Sequence, residues 1–224
     1  MESHVVKILH FSDIFCVWAY VGHVRIDELE RTFGDQVSIE CHFLDVYGDM
    51  RTKIDVAAAA QGGVQAYADN LRANVSQFDH VALHPDVWTK LVPSSSMACH
   101  VFLRAVDLVA KETGNPSVFR KAIWMARERF FKDLVDVSTR EAQLAMTEEL
   151  GLSVDAIWAH IQSGRAHAAL SQDHARAREF NVTMSPTVVF NEGRQQLRGN
   201  VGYRVHEANV RELLDRRPRG ASWC

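Results

Sequence analysis

The chain has 224 residues, 47% of them hydrophobic and 24% charged, with a formal net charge of −3. That is the composition of an ordinary globular protein, with room for one large domain or two small ones. The charge balance offers no polybasic surface for nucleic acid or anionic membrane, so neither is expected as a partner.

The N-terminus, Met1 to His10, has no basic segment followed by an apolar core and is not read as a secretory signal. The longest apolar stretches fall well short of the roughly 20 residues that span a bilayer. Four cysteines, at 16, 41, 99 and 224, show no paired spacing. They read as reduced thiols, and the expected compartment is the cytoplasm.

In chain order, Val5–Phe11 is apolar and β-branched and reads as a buried strand closed by Ser12-Asp13. A helix follows over about 16–32, with Val21, Val24, Ile26, Leu29 and Phe33 as its apolar stripe and Gly34 as its stop. Val37–Val46 alternates as a second strand. Elements of these lengths suggest a parallel βαβ unit. Residues 50–178 then show helical periodicity, with helices expected near 54–77, 94–113, 116–130, 138–150, 153–163 and 167–180. Ser94-Ser95-Ser96 offers an N-cap, Ser138 with Glu141 a capping box, and Gly151 and Gly164 helix stops. Thr187–Asn191 and Gln195–Arg198 can pair as a hairpin around Glu192-Gly193, and a last helix covers about 204–217 before a frayed tail at 216–224. The layout is βαβ, a helical block, then ββα. It gives an α/β fold with a discontinuous sheet domain, residues 1–49 and 181–224, and a helical insertion domain, residues 50–180.

Two segments carry chemistry. Phe11-Ser12-Asp13-Ile14-Phe15-Cys16-Val17-Trp18-Ala19-Tyr20 joins the first strand to the first helix. A cysteine there meets unpaired N–H groups and the positive end of the helix dipole, which favour the nucleophilic thiolate. Met184-Ser185-Pro186-Thr187 precedes the returning strand, where a proline marks a strand's first residue or a special turn such as a cis one.

Together these segments resemble the DsbA-like thioredoxin superfamily, in particular the FrnE-like oxidoreductases, 2-hydroxychromene-2-carboxylate isomerases and kappa-class glutathione transferases. The resemblance rests on Phe11-Ser12-Asp13, Cys16-Val17-Trp18-Ala19-Tyr20 and Gly22, and on Ser185-Pro186-Thr187 followed by an apolar strand and Gly199-Asn200. It implies a thioredoxin-like fold, with Cys16 as the accessible nucleophile. Met184, Ser185 and Pro186 would form a cis-proline loop that holds an extended substrate or glutathione through its backbone. Trp18, Ser94 and Asn200 would be further contacts around the cleft. Glutathione is implied as a co-substrate, with no tightly bound cofactor, and a homodimer is implied as an assembly.

The departures from the pattern are informative. Ala19 stands where the family has a second cysteine, so a mixed disulfide on Cys16 needs an external thiol to resolve it. Val17 replaces the usual proline, and the Asp-Arg pair of the kappa class is missing after Gly199. Cys16 also stands where the isomerase and kappa branches usually carry serine.

The remaining candidates have plainer readings. Cys41 and Cys99 read as small buried hydrophobes, and Cys224 as a tail residue. His160, His167 and His174 recur every seven residues without the company of a zinc site, so no metal is expected. Arg127, Arg129, Lys132 and Asp133 read as a charged surface run around Phe130-Phe131. Three functions follow: a glutathione-linked monothiol oxidoreductase acting on a small thiol or disulfide; a glutathione-dependent isomerase or transferase; and a non-catalytic binding protein. An apolar cavity above Cys16 would favour the second, an open groove the first, and a buried, unreactive Cys16 the third.

Overall fold

The computed structural model of the chain describes residues 5–215. Cys224 and the frayed tail expected at 216–224 lie outside them. Four strands, β1 (Val6–Ser12), β2 (Val37–Phe43), β3 (Thr187–Phe190) and β4 (Gln195–Arg198), form one mixed sheet in the order β2-β1-β3-β4. β1 runs parallel to β2, from Val6 opposite Val37 to Ser12 opposite Phe43, and antiparallel to β3, with Leu9 opposite Val189. The helix α1 (Val17–Phe33) is the crossover between the parallel pair. This is the thioredoxin-like arrangement, with a block of helices inserted between β2 and β3.

β1 is buried on both faces because helices cover both. Val6 and Ile8 face Ile26, Leu29 and Phe33 of α1 and Val210 of α9 (Tyr203–Leu214). Leu9 and Phe11 face Ala177 of α8 (Arg165–Glu179) and Val182. That two-sided burial explains why β1 reads as a continuous apolar run rather than an alternating one.

The inserted block also contains α2 (Met50–Ala59), α3 (Val64–Val75), α4 (Met97–Glu112), α5 (Ser117–Phe131), α6 (Arg140–Glu149) and α7 (Val154–Gln162). Several boundaries differ from the sequence reading. The single helix expected over 54–77 is two, broken at Gly62 and Gly63, whose φ values of 87° and 108° no helix admits. The second strand ends at Phe43 because β1 ends with it: Leu44 N–H makes a last bond to the Ser12 carbonyl and the chain turns. The cap of α6 is Thr139, not Ser138: Thr139 Oγ1 accepts from Ala142 N–H, while Ser138 turns to Asp136. Ser96 occupies the cap position of α4 without capping it, because its hydroxyl is used elsewhere.

A buried ion cluster clips the helical block to the sheet. The Arg104 guanidinium on α4 holds Asp173 on α8 through two bonds of 2.6 Å. Asp173 also accepts from Phe43 N–H at 3.2 Å and meets His42 Nδ1 at 2.9 Å. α4, α8 and the end of β2 are thereby fixed together. Among the described residues, no helix is long and apolar enough to cross a membrane.

Candidate functional site

Cys16 sits at the N-cap of α1 in extended conformation, and its carbonyl accepts from the N–H groups of Ala19 and Tyr20. The Ser185–Pro186 peptide is cis, as the strand-start position suggested. Its loop is held against the start of α1 by two bonds. Asp13 N–H donates to Ser185 Oγ at 2.9 Å, and the Cys16 thiol donates to the Ser185 carbonyl at 3.3 Å. Gly199 N–H then donates to the Pro186 carbonyl at 2.8 Å, which ties the Gly199-Asn200 turn to the same loop.

Asp13 anchors the site from below. It is fully buried, and its carboxylate accepts from Phe15 N–H, Tyr47 N–H and Ser96 Oγ at 2.9–3.0 Å. Three hydrogen bonds normally favour a carboxylate. Here desolvation outweighs them and raises its pKa to about 7. His100 completes the cluster: its Nε2 accepts from Ile14 N–H, and burial holds the ring well below its ordinary pKa, so it is neutral. The network thus joins the β1–α1 turn, the loop after β2 and the start of α4.

The thiol itself corrects two expectations. Cys16 is 5% exposed, so it is not a surface thiol. Burial pushes its pKa above the ordinary value; the Ser185 hydroxyl and the N–H groups of Ala19 and Trp18 oppose that push and are outweighed. The helix terminus therefore acts on the sulfur in the anticipated direction, but the loss of solvent is the larger effect. Tyr47 and Tyr67 complete the surroundings. Their phenols interact with each other and with the Cys16 charge, and Tyr47 stacks on the buried Trp88 at 5.6 Å.

Of the other expected contacts, Trp18 is partly buried against the main core, and Met184 is 49% exposed at the rim of the cis-proline loop. Ser94 is not drawn into the cleft: it is exposed, and its carbonyl accepts from Met50 N–H at the start of α2. Asn200 is also exposed, with its amide oxygen on Arg25 of α1. Sequence reading missed Tyr47, Tyr67, Ser96 and His100. Nothing in their local sequence marks them; they come from three separate segments that only the packing brings together.

The large cavities among the described residues lie away from the thiol. Spaces of about 510, 470 and 240 Å3 lie elsewhere, and none has Cys16 in its wall. Two of the heptad-spaced histidines, His167 and His174, line the 470 Å3 groove between α4 and α8, while His160 is buried and paired with Glu112. No group of three His, Cys, Asp or Glu among the described residues could hold a metal ion. Cys99 is buried as expected, whereas Cys41 is only partly buried, at the wall of the largest cavity. Arg127 is the clearest departure: it is fully buried rather than part of a surface run.

Comparison with known proteins agrees with this geometry. Residues 7–210 match the sequence family of the DSBA-like thioredoxin domain. Among curated proteins, the chain is 23% identical over 193 residues to the ClpXP adapter protein SpxH of Shouchella clausii. That match covers 82% of this chain and 57% of the relative, so the chain spans little more than half of its length. Among solved structures, a probable DsbA oxidoreductase from Streptomyces coelicolor superposes with a TM-score of 0.72 at 20% identity, covering 97% of this chain and 94% of the other. The cytosolic disulfide reductase DsbM from Pseudomonas aeruginosa, also solved with GSH, gives 0.67 at 14% identity, covering 92% and 99%. At these identities the structural likeness establishes the fold.

Proposed function

This chain belongs to the DSBA-like thioredoxin domain family, and we propose that it works as a monothiol thiol–disulfide oxidoreductase linked to glutathione. The observation that carries this reading is the 3.3 Å bond from the Cys16 thiol to the Ser185 carbonyl beside the cis proline. It sets the sulfur against a backbone edge that an extended disulfide substrate can share. Fold alone would not select the activity; the facing thiol and loop support this reading.

The cycle needs two exchanges. Cys16 gives up its proton, and the thiolate attacks a glutathionylated thiol or a small disulfide. One sulfur of the substrate is captured as a mixed disulfide, and the other leaves as thiolate. A glutathione thiolate then attacks the captured sulfur, releasing a new disulfide and restoring Cys16. Ala19 cannot perform that second step, which is why the resolving thiol comes from outside. Because Cys16 is buried and protonated at rest, the first exchange requires the site to open. A reducing, glutathione-rich cytoplasm suits this chemistry.

The test is intact mass after exposure to oxidised glutathione from pH 5 to 9, for the unaltered chain and Cys16→Ser, followed by peptide mapping. A single adduct on Cys16 that grows with pH and is lost in the variant supports the proposal. A Cys16 that stays unmodified at pH 9 while the protein remains folded overturns it.

A second reading is favoured by one observation. The 5% exposure of Cys16 and its raised pKa are also what a non-catalytic binding protein would show. The failed arm of the same experiment would leave that reading standing. The isomerase reading has less support, since none of the three large cavities opens above Cys16.

A further inference from the structure

The largest cavity, about 510 Å3, lies at the open edge of β2 between α1, α4 and α5. Its wall includes Asp27, Cys41, Arg104, Asp107 and Arg120. Three of these, Asp27, Cys41 and Arg120, also line a much smaller chamber deeper in the protein, where they meet His10, His23 and Arg127. The wide cavity and the inner chamber are therefore neighbours that share a wall. The chamber has about 10 Å3 open to a water-sized sphere, enough for one water or one monatomic ion.

Arg127 presents a charge problem in that chamber. Its side chain is fully buried. One guanidinium nitrogen donates to His23 Nδ1 at 2.6 Å and another to Ser12 Oγ at 2.9 Å, both neutral acceptors. Its Nε has no hydrogen-bond partner among the described residues. Burial lowers its pKa only to about 10, so the cation persists at neutral pH. A buried charge without a partner typically costs several kcal/mol.

The charges of Asp13 and Asp27 favour the Arg127 cation from a distance, but no anionic group accepts a hydrogen bond from it. Asp27 is half exposed and engaged by Arg120, with His23 Nε2 at 3.6 Å. Asp13 is taken by Tyr47, Phe15 and Ser96. Burial pushes the Cys41 thiol up, so it stays protonated and can only act as a weak donor. His10 and His23 are held neutral by the same burial.

We propose that the inner chamber binds one small monovalent anion of halide size, held by the free Nε–H of Arg127 and reached from the cavity at the β2 edge past Cys41 and Arg120. Cys16 does not line the chamber, but a thiolate at Cys16 would add to the negative charge felt by Arg127. Its size excludes phosphate, sulfate and organic acids. Water is the competing occupant, since it could satisfy Nε but not the charge.

Two measurements on the unaltered chain test the site. Crystals grown in sodium bromide are expected to show an anomalous peak within about 3.5 Å of Arg127 Nε, the range of a charge-assisted contact to a large anion. Melting is expected to rise saturably, by a few degrees, in sodium chloride relative to sodium gluconate at matched ionic strength. Cys41→Asp places a carboxylate in the chamber and is expected to abolish the chloride response while the protein stays folded. A chamber holding only water in the bromide crystals overturns the proposal. So does equal melting in the two salts, or an undiminished chloride response in folded Cys41→Asp. The bromide and salt measurements remain decisive if that variant does not fold.

Discussion

Cys16 and Ser185, separated by 169 positions in the chain, meet through a 3.3 Å bond in which the thiol donates to a backbone carbonyl. That bond requires the protonated thiol. A thiolate would face the carbonyl oxygen without a proton between them, so the resting geometry and the upward pKa shift agree in sign.

Alkylation of Cys16 by iodoacetamide in the native protein is therefore expected to be slower than that of a free thiol at the same pH, and to rise as pH increases through and beyond 9. Tyr67→Ala, which removes a buried aromatic from the core cluster that also holds Cys16, is expected to speed labelling several-fold and to cost about 3 kcal/mol of stability, in line with other large buried truncations. Mass-spectrometric labelling kinetics check both. Fast labelling at pH 6 in the unaltered chain would refute the resting state described.

Asp13 gives a pH prediction. Its folded pKa of about 7 lies above the ordinary 3.8, so the folded protein binds the proton more tightly than the unfolded chain. Stability from this group is full below about pH 4, falls as pH rises toward 7 and is then flat. The size is roughly 4 kcal/mol across that window. The buried histidines His10, His23 and His100 act in the opposite direction, because their folded pKa values are lowered and stability returns as pH rises to about 6.5. Subtracting the denaturation profile of Asp13→Asn from that of the unaltered chain isolates the Asp13 term. A difference that does not vary between pH 4 and 7 would count against it.

The Arg104–Asp173 pair is nearly buried on both sides and has two short bonds. Removing one partner leaves a charge in the interior, so Arg104→Met and Asp173→Asn are each expected to cost about 3–5 kcal/mol. The double variant Arg104→Met/Asp173→Asn is expected to cost less than the sum of the singles. Urea denaturation of the four proteins gives the coupling directly. Additive losses would show that the clip is not a pair.

Gly193 and Gly199 separate two reasons for a glycine. Both have positive φ, 96° and 79°. A Cβ at Gly193 would sit 2.6 Å from the Phe180 ring, whereas a Cβ at Gly199 would meet nothing within 4 Å. Gly199→Ala is expected to cost about 1 kcal/mol from backbone strain, and Gly193→Ala about 2 kcal/mol or more because the ring must also move. Thermal melts of the two variants check the order.

The sequence by itself determined the order of the elements, the parallel β1–α1–β2 unit and the late hairpin, and through its two motifs the family resemblance that implied the Ser185-Pro186 loop facing Cys16. These are legible because they rest on local periodicity, on turn residues and on two short motifs. Where reading failed, the deciding interaction came from far along the chain. The state of Cys16 turns on its burial in the main core, and no local feature of Cys16-Val17-Trp18-Ala19 reports that cover. Ser94 was singled out while Ser96, two residues on, carries the bond to Asp13. Arg127 stands in a sequence that looks solvent-facing, Arg127-Glu128-Arg129, yet only the packing of α5 against α1 and β1 takes its guanidinium inside. Helical spacing tells which residues share a face; it does not tell which face the rest of the protein will cover.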